Sequence, residues 1–247
     1  MLHNILDFPA ITQFCGDCGW SGCCVNLRMK RCKQPGPKTG RSLPYRRNTH
    51  LFRQGDELDS LYFLRSGSMK TVVSTKGGSE QIVTFHFPGD LIGFDSIASG
   101  RHQSTAVTLE TSGVCRIPLV KLMSASTNNS KLWEAMIRTA GAQIAEKQNY
   151  ALLLGQKSVH ARFATFLVYL SGKYSSRGCS DAEFNLSMSR QDIASYLAMA
   201  VETLSRLIGD FQRNGLISVE RRFVRIKDVP KLREMAQENV DLSLSFG

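Results

Sequence analysis

The chain has 247 residues and a formal net charge of +10, with 31 Lys/Arg against 21 Asp/Glu. It holds no run of 18 or more apolar residues, which argues against a helical membrane span. The first 14 residues lack the basic and apolar regions of a secretory signal, so a cytoplasmic protein of two domains is the expectation.

The charge is uneven. Residues 1–50 hold 8 basic and 2 acidic side chains, residues 51–130 hold 7 of each, and residues 131–247 hold 16 and 12. A neutral middle between basic ends fits a sensor joined to a nucleic-acid binder. A merely soluble basic protein would share that balance.

Residues 15–24 read Cys-Gly-Asp-Cys-Gly-Trp-Ser-Gly-Cys-Cys, so four of the seven cysteines fall within ten positions. In a cytosolic protein such clustering points to metal or redox chemistry rather than disulfides. Cys15 and Cys18 form a C-x2-C; Cys24 continues it with an x5 gap, and Cys23 would give x4. Thiolates are ligands for zinc and iron–sulfur centres. Three local thiols leave a fourth ligand to come from elsewhere; a catalytic dithiol or unrelated thiols are the alternatives. Residues 25–48 are basic and broken by Pro35, Gly36, Pro37 and Gly40, which reads as an irregular connector. Cys32 lies there outside any ligand spacing.

From about residue 51 to 117 the pattern turns to short apolar strands. Segments 61–65 and 69–73 flank Ser66-Gly67-Ser68, and segments 71–74 and 81–87 flank Gly77-Gly78. Strands with evenly spaced glycine turns predict a small antiparallel barrel or jelly roll, closed by 105–108 and 114–117. A long helix follows over 131–154. Trp133, Ile137, Ala140, Ile144, Lys147, Ala151 and Leu154 alternate steps of four and three, the pattern of a heptad seam with one polar intruder. The seam suits a two-helix dimer; packing on the chain's own barrel would also explain part of it. Phe163, Phe166, Leu167 and Leu170 mark another apolar helix over 160–173.

Residues 187–212 read as two short helices about a small-residue turn. Ser189 is placed to cap the first, over 190–197. The second would bury Val201, Leu204, Leu207, Ile208 and Phe211. Glu202, Ser205 and Arg206 then share its other face at i, i+3 and i+4. That is the layout of a helix-turn-helix whose second helix reads the major groove. Arg can bond guanine O6 and N7, Glu can accept from cytosine N4, and Ser adapts. An amphipathic hairpin with no DNA role is the plain alternative. Arg190 and Thr203 complete the set of DNA-facing candidates on these helices. Segments 216–219 and 223–226 flank Glu220-Arg221-Arg222, a hairpin whose basic tip suits phosphate contact.

Barrel, long helix and winged helix-turn-helix occur in this order in the cyclic-AMP receptor protein superfamily. The sequence resembles one branch of it, the oxygen-responsive FNR-type (fumarate and nitrate reduction) regulators. The resemblance rests on C-x2-C-x5-C at Cys15, Cys18 and Cys24, on Cys115 after the barrel, and on Gly-Asp-Glu-Leu with Ser-Leu-Tyr and Arg-Ser-Gly at 55–67. It rests further on Gly-Asp-Leu and Gly-Phe-Asp at 89–95, and on Val-Glu-Thr and Ser-Arg at 201–206. It covers roughly residues 10–230.

The resemblance implies an α+β fold. A cysteine-rich segment and connector occupy 1–50, a cyclic-nucleotide-binding-like jelly-roll barrel 51–127, a dimerisation helix 128–156, and a winged helix-turn-helix 157–247. It implies a [4Fe–4S] cluster on Cys15, Cys18, Cys24 and Cys115, and a homodimer that binds an inverted repeat of TTGAT-like half-sites and works with RNA polymerase. It implies a regulator of anaerobic or microaerobic genes and no enzymatic activity. Three positions depart from the family pattern. The stretch 25–41 is basic and proline-containing where an acidic helix-like segment is usual. Ala198 begins the turn where glycine is common. Lys147 stands where the best-known members carry an acid.

Two other functions would leave different marks in the sequence. A regulator answering to a small effector in the barrel would carry an Arg-Ser pair in residues 93–106; only Arg101 is there. A C-x2-C thiol oxidoreductase would open a helix in a βαβ setting, which this motif does not.

Overall fold

The structure, a computed structural model, describes residues 44–127 and 130–237. Contacts divide the chain into two compact units, Met1–Ile144 and Ala145–Gly247. Cys15, Cys18, Cys23, Cys24 and Cys32 lie outside the described residues.

In the first unit, β1 (Pro44–Tyr45), β8 (Ser112–Pro118), β3 (Ser60–Ser66) and β6 (Leu91–Ile92) make one antiparallel sheet in that order. A second sheet runs β2 (His50–Phe52), β7 (Thr105–Thr108), β4 (Met69–Ser74) and β5 (Glu80–His86). The glycine turns fall where the sequence puts them, but pairing is less local than segment order suggests. β4 and β5 form a hairpin, with Ser74 opposite Glu80. β3 and β4, adjacent in sequence, belong to different sheets, and β3 pairs with the distant β8. The chain crosses between sheets at Gly67, whose φ is +80°. A side chain there would come within 2.6 Å of the Thr111 carbonyl, so only glycine fits.

β3 is buried along most of its length, and its two faces serve different cores. Tyr62 and Leu64 point into the space between the sheets with Phe52, Met69, Ile92, Ala106 and Val114. Leu61 and Phe63 point the other way, with Cys115 and Ile117 of β8. That second face is covered by Leu122 of α1 (Leu119–Thr127) and by Leu132 and Met136 of α2 (Ser130–Gln156). Period-2 alternation therefore aims Cys115 at the helices and its neighbour Val114 at the barrel interior.

Helix α2 has 27 residues, about 40 Å at the usual rise. The division between the two units falls within it, after Ile144. Its covered face is not the heptad seam. Leu132 and Met136 are buried, and Gln143 Nε2 donates to the Leu91 carbonyl at 2.8 Å. The seam itself faces outward: Trp133, Ile137 and Ile144 are 50%, 54% and 60% exposed. Lys147 and Ala151 are exposed too, while Ala140 and Leu154 are half-buried. Packing on the chain's own barrel thus does not explain the stripe.

In the second unit α3 (Val159–Ser175) buries Phe163, Phe166, Leu167 and Leu170. Helix α6 (Val229–Gln237) packs on it through Leu232 and Ala236. Lys157 ties the two together, donating to Thr165 Oγ1 at 3.0 Å and to the Ala236 carbonyl. Burial lowers the Lys157 pKa. Helices α4 (Arg190–Tyr196) and α5 (Val201–Arg213) follow, then β10 (Ile217–Glu220) and β11 (Phe223–Ile226). A third strand, β9 (Glu183–Asn185), pairs with β11 and widens the wing to three strands. Among the described residues no helix is long and apolar enough to cross a membrane.

Candidate nucleic-acid interface

Ser189 starts α4 with a reciprocal cap. Its hydroxyl accepts from the Asp192 amide at 3.1 Å, and the Asp192 carboxylate accepts from the Ser189 amide at 2.8 Å. Two otherwise unpartnered amides are satisfied, which fixes where the first helix begins. Ile193, Ala194 and Leu197 are buried beneath it.

The turn to the second helix is strained. Ala198 has φ +49°, in the left-handed region that glycine enters freely. An L-residue with a Cβ pays roughly 1 kcal/mol or more there. Ala198→Gly should therefore raise stability by about 0.5–1 kcal/mol, after allowing for the extra freedom glycine gives the unfolded chain. Denaturant unfolding of parent and variant checks this; a lower midpoint for the glycine variant contradicts it.

Helix α5 buries Leu204, Leu207, Ile208 and Phe211 against the domain. Val201, expected with them, is only half-buried, because it sits in the first turn beside the exposed Ala200. The opposite face carries Glu202, Ser205 and Arg206, all exposed, with Thr203 half-buried at its edge. Among the described residues no hydrogen bond or ion pair engages the side chains of Glu202, Ser205 or Arg206. Their polar atoms are uncommitted and share one helix face, as direct base reading requires. Acidic Glu202 in the first turn also suits the helix dipole.

The same domain carries further exposed cations. Arg190 opens α4, and Arg221 and Arg222 form the two-residue tip between β10 and β11. Arg221 takes φ +55°, the tight turn the hairpin needs. Arg225 on β11 is already paired with Glu183 at 2.7 Å. The wing tip therefore carries two exposed arginines, and the start of α4 one.

In the first unit, Cys115 lies on β8 opposite Phe63, 9% exposed. Among the described residues no group of three or more His, Cys, Asp or Glu is placed to hold a metal ion. Arg101, the lone effector-binding candidate, donates from Nη1 to the Gly55 carbonyl at 2.9 Å, and its backbone bridges to Glu57. The neighbouring His102 is buried and stacks on Phe52 with ring centroids 3.6 Å apart. Burial lowers its pKa.

Residues 42–129 match the family model for a cyclic nucleotide-binding domain, and residues 161–235 match that for a Crp-like helix-turn-helix domain. The fumarate and nitrate reduction regulatory protein of Escherichia coli K12 is 41% identical over 224 residues, 90% of each chain. The chain belongs to the CRP/FNR family. It is a DNA-binding transcription regulator. The corresponding Klebsiella oxytoca regulatory protein is 40% identical over the same length. Among solved structures, FixK2 from Bradyrhizobium japonicum aligns with a TM-score of 0.73 at 22% identity, covering 80% of this chain and 98% of that one. The Thermus thermophilus CRP-family regulator TTHB099 aligns with a TM-score of 0.65 at 20% identity, covering 81% and 98%. Both have the CRP/FNR architecture described above.

Several residues that shape this CRP/FNR interface escape a reading of motifs. Tyr150, at the end of α2, donates its hydroxyl to the Tyr196 carbonyl at 2.8 Å, and the two rings stack at 4.8 Å. Burial, with Glu146 nearby, raises the Tyr196 pKa. Glu146 accepts from the Tyr169 hydroxyl at 2.7 Å and lies 3.8 Å from Lys173. Glu134 pairs with Arg138 one turn on.

Proposed function

We propose that this regulator senses oxygen through a [4Fe–4S] cluster held by Cys15, Cys18, Cys24 and Cys115, and that it reads DNA as a homodimer. The carrying observation is the place of Cys115. Its side chain belongs to the same buried cluster as Leu132 and Met136 of α2. The opposite face of that helix presents Trp133, Ile137 and Ile144 to solvent. A ligand thiolate at Cys115 would therefore sit against the helix whose outer seam forms the dimer. Four cysteine thiolates suit an iron–sulfur centre, and the curated relatives are named for fumarate and nitrate reduction. Such a cluster, when bound, supplies an oxygen-labile set of iron–thiolate bonds. Differential affinity of the monomeric and dimeric states for that ligand set is what shifts the equilibrium between them.

On this reading Glu202, Ser205 and Arg206 contact base edges in an inverted repeat with TTGAT-like half-sites. Thr203, Arg190, Arg221 and Arg222 hold the sugar–phosphate backbone. RNA polymerase is the partner that turns binding into transcription, and the protein works in the cytoplasm. Protein purified without oxygen should be brown, contain iron and sulfide, and lose its visible absorption in air. A colourless anaerobic protein that gains DNA affinity with cyclic AMP would replace this reading with an effector-gated one.

Within the seam, Lys147 lies on the exposed stripe between Ile144 and Ala151. About a two-fold axis it meets or approaches its own copy, and like charges in a half-dry interface repel. Long lysine stems can turn the ammonium outward, which softens the cost. We assign to Lys147 the task of keeping the dimer marginal, so that the cluster decides. Lys147→Ala should tighten the cluster-free dimer at least about tenfold, or roughly 1.4 kcal/mol. Sedimentation of the cluster-free variant reads this directly. If it stays as monomeric as the cluster-free parent, the charge is not the brake.

A further inference from the structure

We infer that Arg162 is a positioning residue for DNA reading: it clamps the turn of the helix-turn-helix onto the end of the long helix α2. Arg162 sits in the first turn of α3, half-buried, and among the described residues makes no hydrogen bond to a DNA-facing side chain. Its guanidinium donates only to backbone carbonyls. Nη2 donates to Leu154 at 2.7 Å, in the last turn of α2. Nε donates to Lys157 at 3.0 Å, just past the end of α2. Nη1 reaches Leu197 at 3.3 Å and, at the limit of a hydrogen bond, Ala198 at 3.5 Å.

These acceptors have a common character. The last carbonyls of a helix have no partner within it and carry the negative end of its dipole. Leu154 is in the last turn of α2, and Leu197 is the residue that ends α4. A single planar cation thus neutralises two helix ends at once. Its rigid fork of five donors is the group suited to that task; an ammonium is a point charge. The third region it reaches is Ala198, the strained residue of the turn. A turn held at φ +49° without glycine is held by its surroundings, and the Arg162 guanidinium is one of them.

A second link runs beside the first. The Tyr150 hydroxyl donates to the Tyr196 carbonyl, one residue before Leu197. Together Tyr150 and Arg162 attach the last turns of α2 to residues 196–198, immediately ahead of the recognition helix α5. Within the second unit the recognition helix is therefore held at an angle to the last turns of α2. Two recognition helices must enter successive major grooves about 34 Å apart. A clamp on this angle consequently sets tolerance to half-site spacing more than contact with any one base.

The spacing argument rests on the dimer proposed above, so the test has two arms. Anaerobic full-length protein is measured on an inverted repeat of natural spacing and on one lengthened by one base pair. The parent should prefer the natural spacing strongly. Arg162→Ala should remain dimeric, lose about tenfold on the natural site, and lose most of its preference between the two. Arg162→Lys should recover only part of that preference, and Tyr150→Phe should weaken it by a smaller factor. Equal losses on both sites, with the preference intact, overturn the clamp as a device for spacing.

The second arm is amide exchange at Ala198 and Met199, whose N–H groups donate to Ser195 and Ala194. Exchange there should quicken at least tenfold in Arg162→Ala, while the Phe163–Leu170 core stays protected. This readout does not depend on dimerisation. A parent that proves monomeric fails the dimer reading and leaves the clamp to be decided by exchange. Unchanged exchange at both amides overturns the clamp itself.

Discussion

Replacing Cys115 by alanine should leave a folded protein that carries no iron and does not bind its DNA site without oxygen. Alanine is the better probe than serine here. Cys115 is only 9% exposed among Phe63, Leu122 and Met136. A serine would add a hydroxyl to this apolar cluster, a change unrelated to ligation. Cys15→Ser, Cys18→Ser and Cys24→Ser should fail in the same way, whereas Cys23→Ser, Cys32→Ser and Cys179→Ser should keep the visible absorption. Cys179 is exposed and belongs to the second unit, whereas Cys115 is buried in the first. The choice of Cys24 over Cys23 rests on the x5 spacing alone. Iron content of the six serine variants and Cys115→Ala checks the whole set. Loss of iron in Cys23→Ser together with its retention in Cys24→Ser would reverse that choice.

The second large effect concerns base reading. Arg206→Ala should cost about 1–3 kcal/mol on the specific site, the worth of a good bidentate contact, and relax preference at one base pair in each half-site. Glu202→Ala should relax a neighbouring position. Arg222→Ala at the wing tip should behave differently. It should weaken binding to all sequences alike and lower the salt slope by about one. The structure supports the distinction, since Arg206 shares a helix face with Glu202 and Ser205 while Arg222 lies in the hairpin turn. Competition binding with substituted half-sites at two salt concentrations separates the cases. Equal losses on specific and random DNA for Arg206→Ala would contradict its place on the reading face.

Much of this was legible because local physics carried it. Glycines at 67, 78 and 89 end strands through positive φ, and the i, i+3, i+4 pattern of Glu202, Ser205 and Arg206 survives folding intact. Ser189 caps where a short polar residue before an apolar run should cap. The heptad seam was legible too, but not the opposite face of the same helix. Leu132, Met136 and Leu153 are buried at other positions, and only the folded chain reveals which stripe is covered. The β3–β8 pairing joins residues 47 to 58 apart, so nothing local announces it. Strand β9 is three residues long, too short for any period to emerge. Arg162 and Tyr150 were silent for another reason. Both act on backbone carbonyls, which every residue possesses, so no partner side chain marks them in the sequence.

One coupled measurement tests most directly whether the cluster governs DNA binding: visible absorption and affinity for the inverted repeat, followed in a single anaerobic sample as oxygen is added in steps. The two should fall together, and sedimentation of the endpoint should give a monomer. Affinity that persists unchanged after the absorption has gone would contradict the claim that the cluster governs DNA binding.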